Sequence, residues 1–149
     1  MSEKIISPFQ MHDWRIRSFQ YSDPIFPPAL EKVNLTWKLT FHKDYKYKSE
    51  NKCYAGILSV RFAISADGYS NDFLTGEAVS FSTLSVDNES EEAQHQMDRL
   101  LSINAAAYTL STLRSFLIQQ SVLMLRMQII LPSINLNNVE FDKEYTLGK

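Results

Sequence analysis

The chain contains one cysteine, Cys53, and four glycines among its 149 residues. A single cysteine cannot form an internal disulfide, and we expect a buried, inert thiol at the start of an apolar strand. The glycines form no GxGxxG or GxxxxGKT-type sequence, so no loop that holds phosphates through backbone N–H groups is expected. His12, His42 and His95 stand far apart, in none of the spacings that zinc sites use. We therefore expect no cofactor, no metal ion and no enzymatic activity.

Long apolar runs and an excess of positive charge are also missing. Arg99, Arg114 and Arg126 interrupt the most apolar region, which leaves no stretch of about 20 apolar residues to cross a bilayer. The formal net charge is -2 at pH 7, whereas nucleic-acid-binding domains carry clustered Lys and Arg. Residues 1–5 lack the apolar stretch of a signal peptide. We therefore expect a cytoplasmic protein without membrane insertion or a nucleic-acid partner.

Alternation of apolar and polar residues predicts four β-strands. The clearest alternation runs from Leu35 to Phe41, where apolar side chains occupy every second position, as in a half-buried strand. Similar patterns predict strands at residues 9–21, 54–64 and 73–86. The proline-rich stretch 24–28 predicts an extended loop, because proline supplies no hydrogen-bond donor to a sheet.

Local features predict where these strands bend and turn. The apolar phase of residues 9–21 shifts twice, which requires one extra residue near Asp13 and another near Ser18. Asp67-Gly68 has the chemistry of a hairpin turn. Gly76 indicates a bulge or a close approach of two chain segments.

The period of the pattern changes to a helical one after residue 86. Acidic residues 87–92 favour a helix N-terminus, and Asn88 or Ser90 can cap it. A second, longer helix is expected from Asn104, and Pro132 ends it. The prediction is a single α+β domain, a four-stranded antiparallel sheet followed by a long packing helix. Its expected parts are a flexible lead (1–8), the sheet (9–86), the helices (87–128) and a C-terminal segment (129–149).

The predicted long helix is almost uncharged. From Ala105 to Leu125 the only formal charge is that of Arg114, whereas a helix on a protein surface normally carries Lys and Glu on its outer face. Its polar face holds small or neutral side chains, including Ser111, Ser115 and Gln119. We therefore expect this face to pack against another subunit, with a tetramer as the expected homo-oligomer.

Aromatic side chains are numerous for one small sheet and one helix, with nine Phe, seven Tyr and two Trp. Flexible methionines among them suit binding of varied partners. For any single residue, ordinary core packing is the alternative interpretation, and it is the commoner one. The residues for which both interpretations stand are Trp37, Phe41, Tyr54, Met97, Met124 and Met127.

Three segments near the C-terminus carry a resemblance to a known family. They are Leu113-Arg114-Ser115 within the helix, Ile130-Leu131-Pro132-Ser133-Ile134-Asn135-Leu136 after it, and then Val139-Glu140-Phe141-Asp142. Together they resemble the SecB family of export chaperones, and the order of the predicted strands is similar to that of the family. The resemblance implies a tetrameric chaperone that holds non-native or precursor polypeptides without ATP, and typical members pass them to the SecA motor.

The resemblance also implies where such a protein binds its partners. The apolar groove for polypeptide clients would comprise Leu35, Trp37, Leu39, Phe41, Ile134, Leu136, Val139 and Phe141. The acidic sheet face that meets SecA in the family would fall near Leu74 and Glu77. Only seven residues follow Asp142, so the family's second helix is expected to be very short or absent. A related subfamily protects antitoxins, and a dedicated client of that kind fits this departure.

Two other interpretations remain open from the sequence. A small-ligand-binding α+β domain would have a closed pocket between sheet and helix, lined by Trp37 and Tyr54. The segment from Ile134 to Phe141 would then be a structural tail. A purely structural interaction domain is the third possibility.

Overall fold

The computed structural model describes residues 8–22, 34–69, 71–86, 89–125 and 128–148. The predicted lead over residues 1–7, the proline-rich loop at 24–28 and the cap at Asn88 lie outside the described residues. The strands are β1 (Phe9–Tyr21), β2 (Leu35–Lys48), β3 (Cys53–Ala66), β4 (Leu74–Ser85) and β5 (Glu144–Gly148). The helical elements are α1 (Glu91–Leu100), a π turn (Leu101–Ala105), α2 (Ala106–Leu125) and a 3-10 turn (Leu136–Asn138).

The strands form one antiparallel sheet in the order β1-β4-β3-β2-β5. The α+β class and the four predicted strands are confirmed. The fifth strand was not predicted: Glu144–Gly148 pairs with β2, from Thr40 opposite Glu144 to Thr36 opposite Gly148. The segment after Asp142 therefore extends the sheet.

Both predicted irregularities of β1 are present. The register against β4 shifts between Met11 and Asp13 and again between Ile16 and Ser18. Each extra residue returns the apolar side chains of β1 to the inner face of the sheet. The close approach at Gly76 is also present, because a Cβ atom there would lie 2.6 Å from the Ser18 carbonyl oxygen.

The hairpin between β3 and β4 turns at Gly68, whose φ of 90° is a conformation that side chains disfavour. The amide of Tyr69 donates to the carbonyl of Ala66 across this turn, at 3.1 Å. The predicted turn at Asp67-Gly68 is confirmed.

The helix begins where its cap was predicted. The Ser90 hydroxyl accepts a hydrogen bond from the amide of Ala93 at 3.1 Å, and Glu91 and Glu92 occupy the first turn. The expected helix boundary near Asn104 is instead a π turn, and α1 continues through it into α2. One wider turn rotates the helix face, and it keeps both Leu101 and Ala105 buried.

The core lies between the inner face of the sheet and one face of α2. Leu58, Val60 and Ile64 of β3 are fully buried, as are Leu113 and Leu117 of α2. Cys53 is buried as expected. Trp37, Phe41 and Tyr54 are at most 4% exposed, so each packs in the core of the subunit. Met97 and Met124 are half-buried against it.

Candidate functional site

The inner face of β2 provides the first wall of a candidate site. Side chains alternate along a strand, so Trp37, Leu39 and Phe41 share one face. Pairing with β5 places Tyr145 beside Leu39 and Leu147 beside Trp37. The unpredicted fifth strand therefore widens the apolar wall by two side chains. A sequence signal was available, because Tyr145 and Leu147 alternate with polar residues over the five positions of the strand.

The segment after α2 is fixed to the helix before it reaches this wall. The Ser121 hydroxyl accepts a hydrogen bond from the amide of Ile129 at 2.8 Å, and both residues are buried. Arg114, the one charged residue within α2, donates from Nε to the carbonyl of Leu131 at 3.2 Å. Its Nη2 also reaches the carbonyl of Pro132, at 3.4 Å. These contacts satisfy backbone groups of an irregular segment and set its path.

The same segment then crosses over the wall and joins β5. Asn135 caps the short 3-10 turn by accepting from the amide of Asn137 at 3.1 Å. The hydroxyl of Tyr145 accepts from the amide of Glu140 at 2.7 Å. The amide of Asp142 donates to the carbonyl of Phe41 at 2.7 Å. The C-terminal end of the crossing is therefore held to the sheet through the carbonyl of Phe41 and the hydroxyl of Tyr145.

An apolar cavity of about 200 Å³ lies between the wall and the crossing segment. Four of the predicted groove residues line it, Leu39, Phe41, Ile134 and Val139, together with Tyr145 and Leu147 of β5. The remaining lining comes from Ser133, Asn135 and Asn138. The two predicted walls, separated by almost a hundred positions in the sequence, meet in the fold.

The other four predicted groove residues do not line the cavity. Trp37 is buried, and Leu35 and Leu136 are half-buried. Phe141 is also half-buried, with the Nζ atom of Lys43 4.5 Å from the centre of its ring. Lys43 covers part of this ring and also forms an ion pair with Asp98, at 2.6 Å.

The residues predicted to face another subunit are exposed in the single subunit. Ser111, Ser115 and Gln119 all lie on the side of α2 that faces away from the sheet. The same side exposes Tyr108 (57%) and Leu123 (77%). The outer face of α2 is thus uncharged, with large apolar side chains at both ends.

Leu74 and Glu77, the predicted motor contact, do not share a surface. Leu74 is 1% exposed and packs in the core on the inner face of β4. Glu77 lies on the outer face, where Arg61 Nε donates to its carboxylate at 3.2 Å and Arg17 Nη1 is 3.7 Å away. Because strand side chains alternate, positions 74 and 77 point in opposite directions. The carboxylate is also neutralised by two guanidinium groups, so the sheet around Glu77 is not acidic.

Asp13 and Tyr45, which lie outside the candidate site, have shifted pKa values. Arg15 forms an ion pair with Asp13, and this hydrogen bond holds the pKa of the Asp13 carboxyl below its usual value. Burial raises the pKa of the Tyr45 hydroxyl, which contacts the Ser82 hydroxyl. In the part of the chain that the structure describes, no group of three or more His, Cys, Asp and Glu residues could hold a metal ion. None of the helices described is long and apolar enough to cross a bilayer.

Comparisons with known proteins find similarity in structure alone. No family model matches the sequence, and no curated protein matches it significantly. The SecB-like chaperone Rv1957 of Mycobacterium tuberculosis, solved with a ChAD peptide from the antitoxin HigA1, superposes with a TM-score of 0.58 at 14% identity, over 85% of this chain and 90% of that one. A Streptococcus agalactiae protein of unknown function gives a TM-score of 0.52 at 13% identity, over 84% of this chain and 97% of that one. The chain therefore has a SecB-like fold.

Proposed function

We propose that the protein is an ATP-independent chaperone that holds non-native polypeptides in an apolar groove. The groove comprises the inner face of β2 and the segment after α2, including Leu39, Phe41, Ile134 and Val139. Leu35, Trp37, Leu136 and Phe141 extend it along both walls. No catalytic group is required, since such a protein acts by binding the unfolded state.

The observation that carries this proposal is the apolar cavity between two segments that are far apart in the sequence. Its walls are aliphatic and aromatic, and the polar groups on them are small amides and hydroxyls. Such a surface discriminates weakly between sequences, which suits varied unfolded chains. The SecB-like fold supports the same function, because the Mycobacterium tuberculosis protein with this fold was solved with a bound antitoxin peptide.

The size of the cavity weighs against the small-ligand alternative. Ligand pockets usually enclose about 300–1,000 Å³, whereas this cavity measures about 200 Å³. That volume suits one or two side chains of a longer segment that continues over the rim. Trp37 and Tyr54, expected to line a closed pocket, pack in the core instead.

We extend the proposal to assembly, clients and location. The uncharged outer face of α2 would meet the same face of another subunit in a homotetramer. The client would be an export precursor or a dedicated protein such as an antitoxin, in the cytoplasm. The neutralised sheet face around Glu77 makes a dedicated client a better match than transfer to the SecA motor.

An aggregation assay tests the proposal. Stoichiometric protein should delay the aggregation of several chemically denatured clients, without ATP and with little sequence preference. Val139→Asp should abolish the delay, because a charge in an apolar groove opposes burial of apolar client side chains. Asn137→Asp, two positions earlier and exposed, is the matched control and should leave the delay intact.

Two results would contradict the proposal. In the first, the protein delays no client yet binds one small molecule tightly, which would establish the pocket interpretation. In the second, Val139→Asp and Asn137→Asp act alike while both remain folded by circular dichroism. The groove would then have no part in the activity.

A further inference from the structure

The outer face of the sheet has a second concavity, on the opposite side from the candidate groove. Its volume is about 550 Å³, and it is lined by Asp13, Arg15, Arg17, Ile57, Val79 and Phe81. It lies across β1, β4 and β3, since Asp13 pairs with Phe81 and Phe81 with Ile57. No part of the proposed chaperone site reaches this face.

The floor of this concavity is apolar. The ring of Phe81 forms part of this floor and is 38% exposed. Ile57 and Val79 beside it are half-buried. The ring of His12 lies 5.7 Å from that of Phe81 and borders the floor on one side. Burial of this floor beneath an apolar side chain of a partner is favourable, because it removes apolar surface from water.

Three arginines surround the floor, and their charge exceeds that of the two carboxylates they pair with, Asp13 and Glu77. A third carboxylate, that of Asp44, is exposed beside Ile57 on the β2 side. Arg15 pairs with Asp13, while Arg17 and Arg61 share Glu77. The side chains of these arginines are 64–72% exposed, whereas that of Glu77 is 10% exposed. Each guanidinium group has five N–H donors, so one carboxylate cannot accept from all the donors of two guanidinium groups. Positive charge and free donors therefore point outwards, although the whole chain has a net charge of -2.

We propose that this face, the outer arginine face (Arg15, Arg17, Arg61 and Phe81), binds an acidic protein segment that carries a bulky apolar side chain between its carboxylates. The apolar side chain covers Phe81, and the carboxylates pair with the guanidinium groups around it. Planar guanidinium groups bind carboxylates in a bidentate geometry, which gives direction as well as attraction. This partner has the opposite charge from one that docks on an acidic sheet face.

A nucleic acid fits this face less well than an acidic protein segment. The centre of the surface is apolar, whereas a phosphate-binding surface carries Lys and Arg throughout. Competition in solution separates the two kinds of partner.

A peptide-binding measurement on the full chain tests this inference. The probe is a fluorescein-labelled ten-residue peptide with a central Leu between Glu residues, followed by fluorescence anisotropy at low salt. We expect saturable binding that weakens at high salt, because the contacts are exposed ion pairs. Peptides with Gln for each Glu, or Ser for the Leu, should each bind at least about fivefold more weakly.

Variants of the protein locate the site. Phe81→Ser should weaken binding about tenfold, and Arg17→Gln about three- to fivefold. Lys46→Gln removes the same charge from an exposed position of β2, farther along the same face of the sheet, and should weaken binding less than Arg17→Gln does. If Arg17→Gln fails to fold, Phe81→Ser still tests the site, because it leaves Arg17 and Arg61 in place beside Glu77. Circular dichroism and thermal unfolding establish that each variant is folded.

Several outcomes would overturn the inference. One is the absence of saturable peptide binding below about 1 mM. Others are equal weakening by Lys46→Gln, unchanged binding in both site variants, or complete displacement of the peptide by a short single-stranded oligonucleotide. If Arg17→Gln lowers the mass of the oligomer by light scattering, the face is a contact between copies of this chain. Loss of client holding with intact peptide binding would contradict the proposed function and leave this inference standing.

Discussion

Two surfaces of this subunit point away from the core, and they differ in charge. The outer face of the sheet carries ion pairs, such as that of the exposed Arg15 with Asp13 and that of the exposed Arg61 with the buried Glu77. The outer face of α2 carries no charge and exposes Tyr108 and Leu123. A charged face is stable in water and binds partners reversibly, whereas an uncharged helix face with apolar ends gains from permanent cover. This difference is the basis on which we propose exchange of partners at the sheet and assembly at the helix.

The largest expected effect comes from placing a charge on the helix surface. Ser115→Glu should dissociate the proposed tetramer, because removal of an unpaired carboxylate from water costs several kcal/mol. The same change on the sheet, Ser85→Glu, should leave the mass unchanged, since Ser85 is exposed on the outer face. Light scattering at micromolar concentration measures both variants. A monomeric unmodified chain would remove the distinction between the two surfaces.

The next effect compares the two faces of the sheet at neighbouring positions of β3. Leu58 is fully buried on the inner face, while Ile57 is half-buried on the outer face. Leu58→Ala should lower the free energy of unfolding by about 2–5 kcal/mol, because it leaves a cavity in a packed core. Ile57→Ala should cost less than about 1.5 kcal/mol, because little surrounds the truncated atoms.

Urea denaturation at one protein concentration measures both β3 variants, since dissociation otherwise contributes to the apparent stability. Equal losses at the two positions would mean that the outer face of the sheet is covered in the assembly. The sheet and helix surfaces would then have the same role.

A smaller effect on stability is expected at the rim of the candidate groove. Phe141→Ala should lower the stability by less than about 2 kcal/mol, because the ring is half-buried and truncation leaves only a shallow cavity. Client holding in the aggregation assay should weaken while the oligomer keeps its mass. Phe81→Ala, the same change on the outer face of the sheet, should not alter client holding. If Phe141→Ala unfolds at a temperature as low as a core variant does, Phe141 serves core packing rather than client binding.

The smallest expected effect is electrostatic and lies on the sheet surface. The hydrogen bond from Arg15 holds the pKa of Asp13 below its ordinary value, so the ion pair is present at neutral pH and is lost as the pH falls through that lowered pKa. Arg15→Gln should raise the pKa of Asp13 towards its ordinary value. An NMR titration of the Asp13 side chain measures the shift. An unchanged pKa would show that the pair is not formed in solution.

Much of the fold was predictable because its signals are local. The two shifts of apolar phase in β1 marked its bulges, and Asp67-Gly68 marked a turn, since backbone geometry there depends on a few neighbouring residues. The predicted helix boundary at Asn104 was wrong, because it also rested on a local signal, which burial outweighs here. Polar side chains weaken a helix locally, but burial of Leu101 and Ala105 keeps the chain helical through a π turn.

The candidate site was predictable only in part. Alternation placed Leu39 and Phe41 on one face of a strand, and the family resemblance assigned them to the groove together with Ile134 and Val139. All four line one cavity. Leu74 was assigned to a surface through the resemblance alone, and it is buried because its register against Ile64 places it on the inner face. Strand pairing decides which side of a sheet a residue occupies.

Four features follow from patterns along the chain: the α+β class, the four main strands with their bulges, the N-terminal cap of the helix and the uncharged character of α2. Each depends on the period of apolar residues or on the chemistry of a few neighbours along the chain. The tertiary structure alone decided that β5 joins β2, that a cavity forms beneath the segment after α2, and that Arg17 and Arg61 meet at Glu77. Those features join residues from different strands and distant parts of the chain, and their energies depend on pairing and burial that local sequence does not specify.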